Sequence, residues 1–229
     1  KKVFHAIDDT LEVEIKMKDG DEVKYGDIPL LVNGHARSIL TAERLVLNYM
    51  QRMSGIATYT NKMVRLIEGT GAKLLDTRKT TPNLRLIEKW AVTIGGGNNH
   101  RFGLYDMIML KDNHIDFSGG ISQAIDETRK YLAKNNKSLR IEIETRTLKE
   151  VEEVLKVGGV HIIMLDNMPP GEIRTAVKMI DGRFLTEASG GITEKNIRKV
   201  AECGVNYISV GALTHSVRSL DISLKAIKE

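Results

Sequence analysis

Several cationic side chains lie close together in the middle of the chain, shortly after apolar or glycine-rich stretches. They are Arg78, Lys79, His100, Arg101 and Lys111. Arginine offers a planar fork that matches a carboxylate or a phosphate, and lysine adds a point charge. The cluster therefore predicts a binding site for an anion. A solvated loop, or an ion pair between Lys111 and Asp112 or Glu144, would use the same residues and stays open as an alternative.

Acidic side chains end two successive apolar runs, at Glu144 and at Asp166. Carboxylates that face an anionic ligand need a cation between them, and Mg²⁺ prefers oxygen ligands of this kind. The same carboxylates would also stabilise positive charge that develops on a sugar ring. Glu142 shares a strand face with Glu144, because side chains two residues apart point the same way. Periodicity alone does not choose between them.

Glycine-rich segments follow the last two predicted strands. The first contains Ser189, Gly190 and Gly191 before a predicted helix start at Thr193-Glu194, and the second contains Val210, Gly211, Ala212 and His215. Loops of this kind, opening onto a helix N-terminus, form the phosphate site of many α/β barrels. The pattern predicts a phosphate site, although ordinary strand-to-helix turns use similar residues.

Short apolar strands and helical segments alternate from residue 72 onward. Strands are predicted at 73–76, 107–111, 140–144, 162–166, 184–187 and 207–211, and clear helices at 121–134, 147–157, 170–180 and 194–203. Repeated strand–helix units imply right-handed crossovers and a parallel sheet. Polar residues at the strand ends favour an α/β barrel. An open doubly wound sheet is less favoured, because glycine patterns for dinucleotide binding are missing.

The first part of the chain has a different pattern. Residues 1–34 are predicted to be rich in β-structure, because residues 11–17 alternate between apolar and polar side chains. Residues 41–68 have helical spacing, and Thr41 is the predicted N-cap. We therefore predict an α/β segment ahead of the barrel.

Composition narrows the function further. Formal net charge is +4, but aromatic residues make up only 5% and do not alternate with basic runs, so we predict no nucleic-acid partner. No apolar run is long enough to cross a bilayer, and no membrane partner is predicted. The single cysteine, Cys203, offers neither an internal disulfide nor a metal cluster. It favours a reducing compartment, and we predict a cytoplasmic location.

Taken together, these motifs resemble the quinolinate phosphoribosyltransferase family, also called nicotinate-nucleotide pyrophosphorylase (carboxylating). The matching segments occur in the same order over nearly the whole chain. They are residues 43–44, 53–58, 76–82, 95–101, 108–114, 165–167, 189–192, 210–216 and 220–224. Asn83 stands where the family usually has glycine, and asparagine tolerates the left-handed conformation that such a turn requires.

The resemblance implies an N-terminal α/β sandwich domain packed against an incomplete α/β, TIM-like barrel. Residues 1–70 would belong to the sandwich, whose front would lie outside this chain. Residues 71–216 would form the barrel, and residues 217–229 a tail that returns to the sandwich. A homodimer with shared active sites, or a higher oligomer, is implied as well.

Roles for individual residues also come from the resemblance. Arg44 would enter the neighbouring subunit's site, and Lys111 would lie between quinolinate and the pyrophosphate leaving group. Glu144 and Asp166 would serve the ribose and Mg²⁺, in part through substrate and water. The carboxylates of quinolinate would be held by Thr77, Arg78, Lys79, His100 and Arg101. The 5′-phosphate would be bound by Ser189, Gly190, Gly191, Val210, Gly211, Ala212 and His215.

The implied activity is transfer of phosphoribose from phosphoribosyl pyrophosphate to quinolinate with decarboxylation. The products are nicotinate mononucleotide, CO₂ and pyrophosphate, as in de novo NAD biosynthesis. One alternative is a paralogue of the same fold that acts on another aromatic carboxylate, such as nicotinate. The adjacent cation pairs, together with Arg44, favour a dicarboxylate. The other alternative is a non-catalytic protein that binds anions or nucleic acid, which would not need Glu144 and Asp166.

Overall fold

The computed structural model describes residues 1–227, so the last two residues of the predicted tail lie outside the described residues. The chain begins with a short helix, α1 (Lys2–Ile7), followed by an antiparallel pair, β1 (Glu12–Ile15) and β2 (Leu30–Asn33). The strands confirm the predicted β-structure, but α1 was not anticipated. It forms because Phe4 is buried in a small apolar cluster with Leu11 and Val46, a contact distant in sequence.

A long helix, α2 (Ala36–Leu66), connects this part of the chain to the parallel sheet. The predicted N-cap at Thr41 is wrong, because the helix begins at Ala36 and has His35 at its N-cap. The Thr41 hydroxyl donates instead to the carbonyl of Arg37, 2.8 Å away within the helix. A threonine hydroxyl can be satisfied inside a helix in this way, so its presence does not mark a helix start.

Six parallel strands form the main sheet, in the order β3-β8-β7-β6-β5-β4. They are β3 (Lys73–Leu75), β4 (Ile108–Leu110), β5 (Ile141–Thr145), β6 (Ile162–Asp166), β7 (Leu185–Ser189) and β8 (Tyr207–Ser209). Each lies at a predicted position. Within residues 1–227 the edge strands β3 and β4 do not pair with each other, so hydrogen bonds leave the barrel open. This is the predicted fold class, an incomplete α/β barrel with a separate small α/β unit.

Helices cover the outside of this sheet. They are α3 (Arg85–Ile94), α4 (Asp112–Ser118), α5 (Ile121–Lys134), α6 (Leu148–Val157), α7 (Pro170–Ile180), α8 (Ile197–Ala201) and α9 (Ala212–His215). The predicted helix at 194–203 is shorter than expected at both ends. The side chain of Asn196 accepts from the backbone N–H of Thr193 at 2.7 Å, which closes a turn where the first helical residues were predicted.

The two faces of the strands differ in polarity. On β5, Ile141 and Ile143 pack with the helices in the large apolar core, whereas Glu142 and Glu144 are buried on the opposite face. Successive side chains of a strand point to opposite faces, so both glutamates face the barrel interior. That interior is therefore polar, which is the first requirement for placing charged chemistry inside it.

Residues after α9 return to α2. The amide of Leu220 donates to the carbonyl of Gln51 at 3.0 Å, and the Gln51 side chain donates to the carbonyl of Ile222 at 2.8 Å. A Cβ at Gly55 would stand 2.3 Å from the carbonyl oxygen of Arg218, so only glycine allows this crossing. The division of the chain into domains at residues 70 and 216 stays a prediction. Over residues 1–227, no helix is long and apolar enough to cross a membrane.

Candidate active site

A cavity of about 710 Å³ opens at the carboxyl ends of the parallel strands. It collects almost all of the residues that the sequence singled out. These are Thr77, Arg78, Lys79, His100, Arg101, Lys111, Glu144, Asp166, Ser189, Gly190, Gly191, Val210, Gly211, Ala212 and His215. Arg44 is an exception, since it lies exposed on α2 and does not line the cavity.

The first cationic loop comprises residues 76–81 and follows β3. The hydroxyl of Thr77 accepts the backbone N–H of Lys79 at 3.0 Å, and the N–H of Thr80 donates to the carbonyl of Arg78 at 2.9 Å. These bonds curl the loop tightly. Asn83 adopts a φ of 64°, the left-handed conformation expected where a glycine would be usual.

The second cationic loop comprises residues 98–102, directly after a run of glycines. That run serves close packing, because a Cβ at Gly95 would stand 2.4 Å from the carbonyl oxygen of Ala57 on α2. The loop then joins the free edge of β3, where the N–H of Asp76 donates to the carbonyl of Asn98 at 3.1 Å. The glycines thus bring His100 and Arg101 beside the first loop rather than binding an anion themselves.

His100 lies at the bottom of the cavity and is 9% exposed. Its Nε2 is 3.0 Å from a carboxylate oxygen of Glu142 and 3.4 Å from one of Glu187, and its Nδ1 accepts the backbone N–H of Arg101 at 2.7 Å. Burial lowers the pKa of His100, but the two glutamates outweigh that effect and raise it to about 9. Both ring nitrogens therefore face protein atoms.

Glu142 and Glu187 were not among the predicted site residues, although both are completely buried beneath the cavity. Burial, together with the negative charge of Glu187, raises the pKa of Glu142 to about 7. The available signal was the spacing of Glu142 from Glu144, which placed both on one strand face. A metal ion bound to His100 Nε2 together with these carboxylates fits poorly, since Nε2 lies 3.0 Å from a Glu142 oxygen and a ring whose pKa is raised to about 9 keeps its proton there.

Two guanidinium groups, those of Arg78 and Arg101, line the cavity at the cationic loops. Burial lowers the pKa of the Arg101 guanidinium, and the neighbouring charge of Arg78 lowers it further. One Arg101 nitrogen donates to the carbonyl of Met107 at 3.2 Å, which directs the rest of its fork toward the cavity. Two guanidinium groups that repel each other at a cavity wall form a strong site for a dianion.

Glu144 and Asp166 lie on β5 and β6, two strands that pair with each other. Lys111 Nζ is 3.9 Å from Glu144, a loose pair in which the lysine is 47% exposed. Burial raises the pKa of Glu144, and the charge of Asp166 adds to that shift. The two carboxylates are therefore close enough to repel, and Lys111 only partly neutralises them.

Two glycine loops complete the lining of the cavity. Gly190 and Gly191 adopt φ values of 91° and 60°, which turns the backbone of the first loop over the end of β7. In the second loop, a Cβ on Gly211 would approach the side chains of His215 and Lys79 within about 3 Å. The hydroxyl of Thr214 donates to the carbonyl of Lys79 at 2.8 Å, so this loop also contacts the first cationic loop.

An open α/β barrel with cations, carboxylates and glycine loops around one cavity defines an enzyme of the class that joins two anionic substrates. Models of the quinolinate phosphoribosyl transferase N-terminal and C-terminal domains match residues 1–54 and 56–225. The chain belongs to the quinolinate phosphoribosyl transferase family.

Named relatives are similar over most of their length. "Quinolinate phosphoribosyltransferase [decarboxylating] 1b" of Nicotiana tabacum is 50% identical over 237 residues, covering 97% of this chain and 67% of that protein. The "probable nicotinate-nucleotide pyrophosphorylase [carboxylating]" of Bacillus subtilis is 45% identical, covering 98% and 76%. The crystal structure of nicotinate-nucleotide pyrophosphorylase from Ehrlichia chaffeensis superposes with a TM-score of 0.91 at 40% identity, covering 97% of this chain and 79% of that one.

Proposed function

We propose that this protein transfers phosphoribose from phosphoribosyl pyrophosphate to quinolinate and releases CO₂, giving nicotinate mononucleotide and pyrophosphate. One observation carries the proposal: a single cavity is lined by cations, by carboxylates and by two glycine loops. Quinolinate is a dianion at neutral pH and matches the cations. Phosphoribosyl pyrophosphate presents a sugar and two phosphate ends to the remaining walls. Relatives named for this reaction support the choice.

In this scheme the forks of Arg78 and Arg101, with Lys79 and Thr77, hold the two carboxylates of quinolinate. Lys111 lies between that pocket and the departing pyrophosphate, as its partial exposure permits. His100 supports the pocket from below through its contact with the Arg101 amide, and a direct contact with substrate stays a prediction. The clamp therefore depends on charge that is already ordered before substrate arrives.

The second substrate would occupy the other half of the cavity. Backbone amides around Gly190, Gly191 and Gly211, together with His215, would receive the 5′-phosphate. Glu144 and Asp166 would lie near the ribose. As the ring nitrogen of quinolinate bonds to the anomeric carbon, the bond from that carbon to the pyrophosphate oxygen breaks. Positive charge develops on the sugar in between, and the carboxylates stabilise it.

Decarboxylation follows from the charge on the new nucleotide ring. The carboxylate next to the now cationic nitrogen leaves as CO₂, and its bonding electrons stay on the ring carbon, which then takes a proton. The quaternary nitrogen stabilises that electron pair. The surrounding cations orient the carboxylates during this step.

We also propose Mg²⁺ as the cofactor. Glu144 and Asp166 fit it, since they are oxygen donors that repel each other within one cavity and are only partly neutralised by Lys111. When bound, Mg²⁺ would offset negative charge on the departing pyrophosphate. Both carboxylates would hold it together with substrate oxygens and water.

A homodimer with shared sites is proposed from the position of Arg44, which is exposed on α2 and outside its own chain's cavity. Mixing Arg44→Ala with Lys111→Ala tests it. Random exchange makes half of the dimers mixed, and each mixed dimer has one intact site, so about a quarter of all sites should recover. No recovery on mixing would rule out a shared site. A cytoplasmic location stays a proposal supported only by the single cysteine.

The deciding experiment supplies phosphoribosyl pyrophosphate and Mg²⁺ with either quinolinate or nicotinate, and follows nicotinate mononucleotide and CO₂. We expect product and CO₂ with quinolinate only. Product from nicotinate without CO₂ would favour the paralogue with another substrate. Absence of turnover, together with DNA binding that weakens steeply with salt, would favour the non-catalytic alternative.

A further inference from the structure

We infer that three charged residues of α3, Arg85, Glu88 and Lys89, are positioning residues that hold the two cationic loops together. The inference deepens the proposed function and rests on it. Residues three and four apart share one face of a helix, so this set forms a single charged face. None of the three is among the described residues that line the cavity.

Lys89 secures the second cationic loop. It is 1% exposed, pairs with Asp76 at the end of β3, and donates to the carbonyl of His100 at 3.0 Å. Asp76 in turn accepts the backbone N–H of His100 at 2.8 Å. The N–H and the carbonyl of His100 are therefore both bonded to one buried ion pair. These two bonds fix the backbone of the second cationic loop at His100.

Glu88 secures the first cationic loop. Its carboxylate is fully buried and accepts the backbone N–H of Thr81 at 3.0 Å and the Thr81 hydroxyl at 2.8 Å. The guanidinium of Arg52 on α2 neutralises it from the other side, at 2.8 Å. The far end of the loop is thereby attached to both α2 and α3.

Arg85 spans the two loops with one side chain. Its Nε donates to the Thr80 hydroxyl at 3.1 Å, and one terminal nitrogen donates to the carbonyl of Arg78 at 3.3 Å. The other terminal nitrogen donates to the carbonyl of Phe102 in the second loop at 3.0 Å. A planar guanidinium with donors in fixed directions can satisfy these three acceptors at once, and a lysine cannot.

Electrostatics explains why such a brace is required. Burial is the main cause of the lowered pKa of Arg101, and the charge of Arg78 lowers it further, so the two guanidinium groups repel each other. Loops that carry them would separate unless they are bonded elsewhere. The brace binds loop carbonyls, two hydroxyls and one amide, so it does not occupy the guanidinium groups of Arg78 and Arg101. It thus stabilises the clamp without occupying it.

The test compares Arg85→Gln and Arg85→Lys with the unaltered protein. We measure kcat, KM for quinolinate, KM for phosphoribosyl pyrophosphate, and the Kd of quinolinate by calorimetry. For Arg85→Gln we expect the quinolinate KM and Kd to rise about tenfold or more, equivalent to about 1.4 kcal/mol. KM for phosphoribosyl pyrophosphate should stay within about twofold, and Arg85→Lys should fall between.

Arg198→Gln is the matched control. Arg198 also bonds two backbone carbonyls of another segment, those of Leu66 and Glu68, and pairs with Glu202, but it does not line the cavity. Its loss should leave the quinolinate constants unchanged. If Arg85 had only a structural role, Arg85→Gln and Arg198→Gln would lower the melting temperature alike, and the quinolinate KM would not rise selectively in Arg85→Gln.

Each outcome bears on a separate claim. Failure of the unaltered protein to turn over quinolinate refutes the proposed function, whatever Arg85 does. Turnover by the unaltered protein, with Arg85→Gln raising both KM values equally or neither, overturns the positioning role. Should Arg85→Gln not fold, Arg85→Lys carries the same measurement, since it keeps the charge and loses the fork.

Discussion

The two halves of the cavity are held in place by different means. The cationic loops, residues 76–81 and 98–102, are tied by buried side chains of α3, of which Lys89 and Glu88 are almost or completely inaccessible. The glycine loops around Gly190 and Gly211 depend instead on backbone conformation and close packing. Ion pairs hold the cationic loops in place, whereas the glycine loops pack closely because glycine has no side chain.

The difference follows from what each half has to present. Cations repel one another, so loops that carry Arg78 and Arg101 need partners that supply compensating bonds from outside the pocket. A phosphate is expected to meet backbone amides, and these come within reach only where a Cβ is missing. Charge substitutions should therefore damage the first half, and added methyl groups the second.

The largest effect is expected for Lys89→Met, which leaves the buried carboxylate of Asp76 without its cation. Breaking a buried pair from one side costs about 3–5 kcal/mol of unfolding free energy. Urea denaturation measures the loss. The double variant with Asp76→Asn should recover a large part of it, and a double variant no more stable than the single one would contradict this account.

The second largest effect is expected from His100, which should make the unfolding free energy depend on pH. Its folded pKa of about 9 lies above the unfolded value of 6.5, so the stabilisation is complete below pH 6.5 and disappears as pH rises through 9. The difference amounts at most to about 3 kcal/mol, because the Arg101 amide at Nδ1 opposes the added proton. Unfolding free energies at pH 6 and pH 9.5 should differ less in His100→Gln. An equal pH dependence in both proteins would show that the ring does not gain charge on folding.

In the glycine half, Gly190→Ala should impair use of phosphoribosyl pyrophosphate by roughly a hundredfold, near 3 kcal/mol. The added Cβ would stand 2.2 Å from Oδ1 of Asn167, whose amide donates to Asp166 at 2.7 Å. Gly191→Ala is the comparison variant: its φ of 60° strains a side chain as well, but nothing lies within 4 Å of its Cβ position, so its loss should be smaller. Steady-state kcat/KM for phosphoribosyl pyrophosphate separates them, and equal losses would argue against the packing explanation.

The smallest effect is expected at Arg146, an exposed brace next to β5. It pairs with Asp116 at 3.1 Å and with Glu150 at 2.9 Å, yet its side chain is 41% exposed. Exposed pairs of this kind contribute about 0–1 kcal/mol. Arg146→Ala should therefore shift the unfolding free energy by less than about 1 kcal/mol. If Arg146→Ala lost as much unfolding free energy as Lys89→Met, buried and exposed ion pairs would not differ in their contribution to stability.

Strand positions could be predicted because most parallel strands are short runs rich in apolar residues with a polar residue at or just after their end, as at Asp166 on β6. Helix boundaries were predicted less well. The Thr41 hydroxyl bonds inside a helix, and the Thr193 hydroxyl bonds to the Asn196 side chain in a turn, although threonine often begins a helix. The short helix α1 was not predicted either, because it forms through burial of Phe4 against residues such as Val46 that are distant in sequence.

Sequence by itself determined the alternation of strands and helices, the cations, carboxylates and glycines at the strand ends, and the family they resemble. These depend on local periodicity and on residue chemistry. Only the tertiary structure decided that Glu142 and Glu187 meet His100, and that the charged face of α3 braces both cationic loops. Those contacts join residues from different elements. Burial, which gives such contacts their strength, exists only once the barrel has formed.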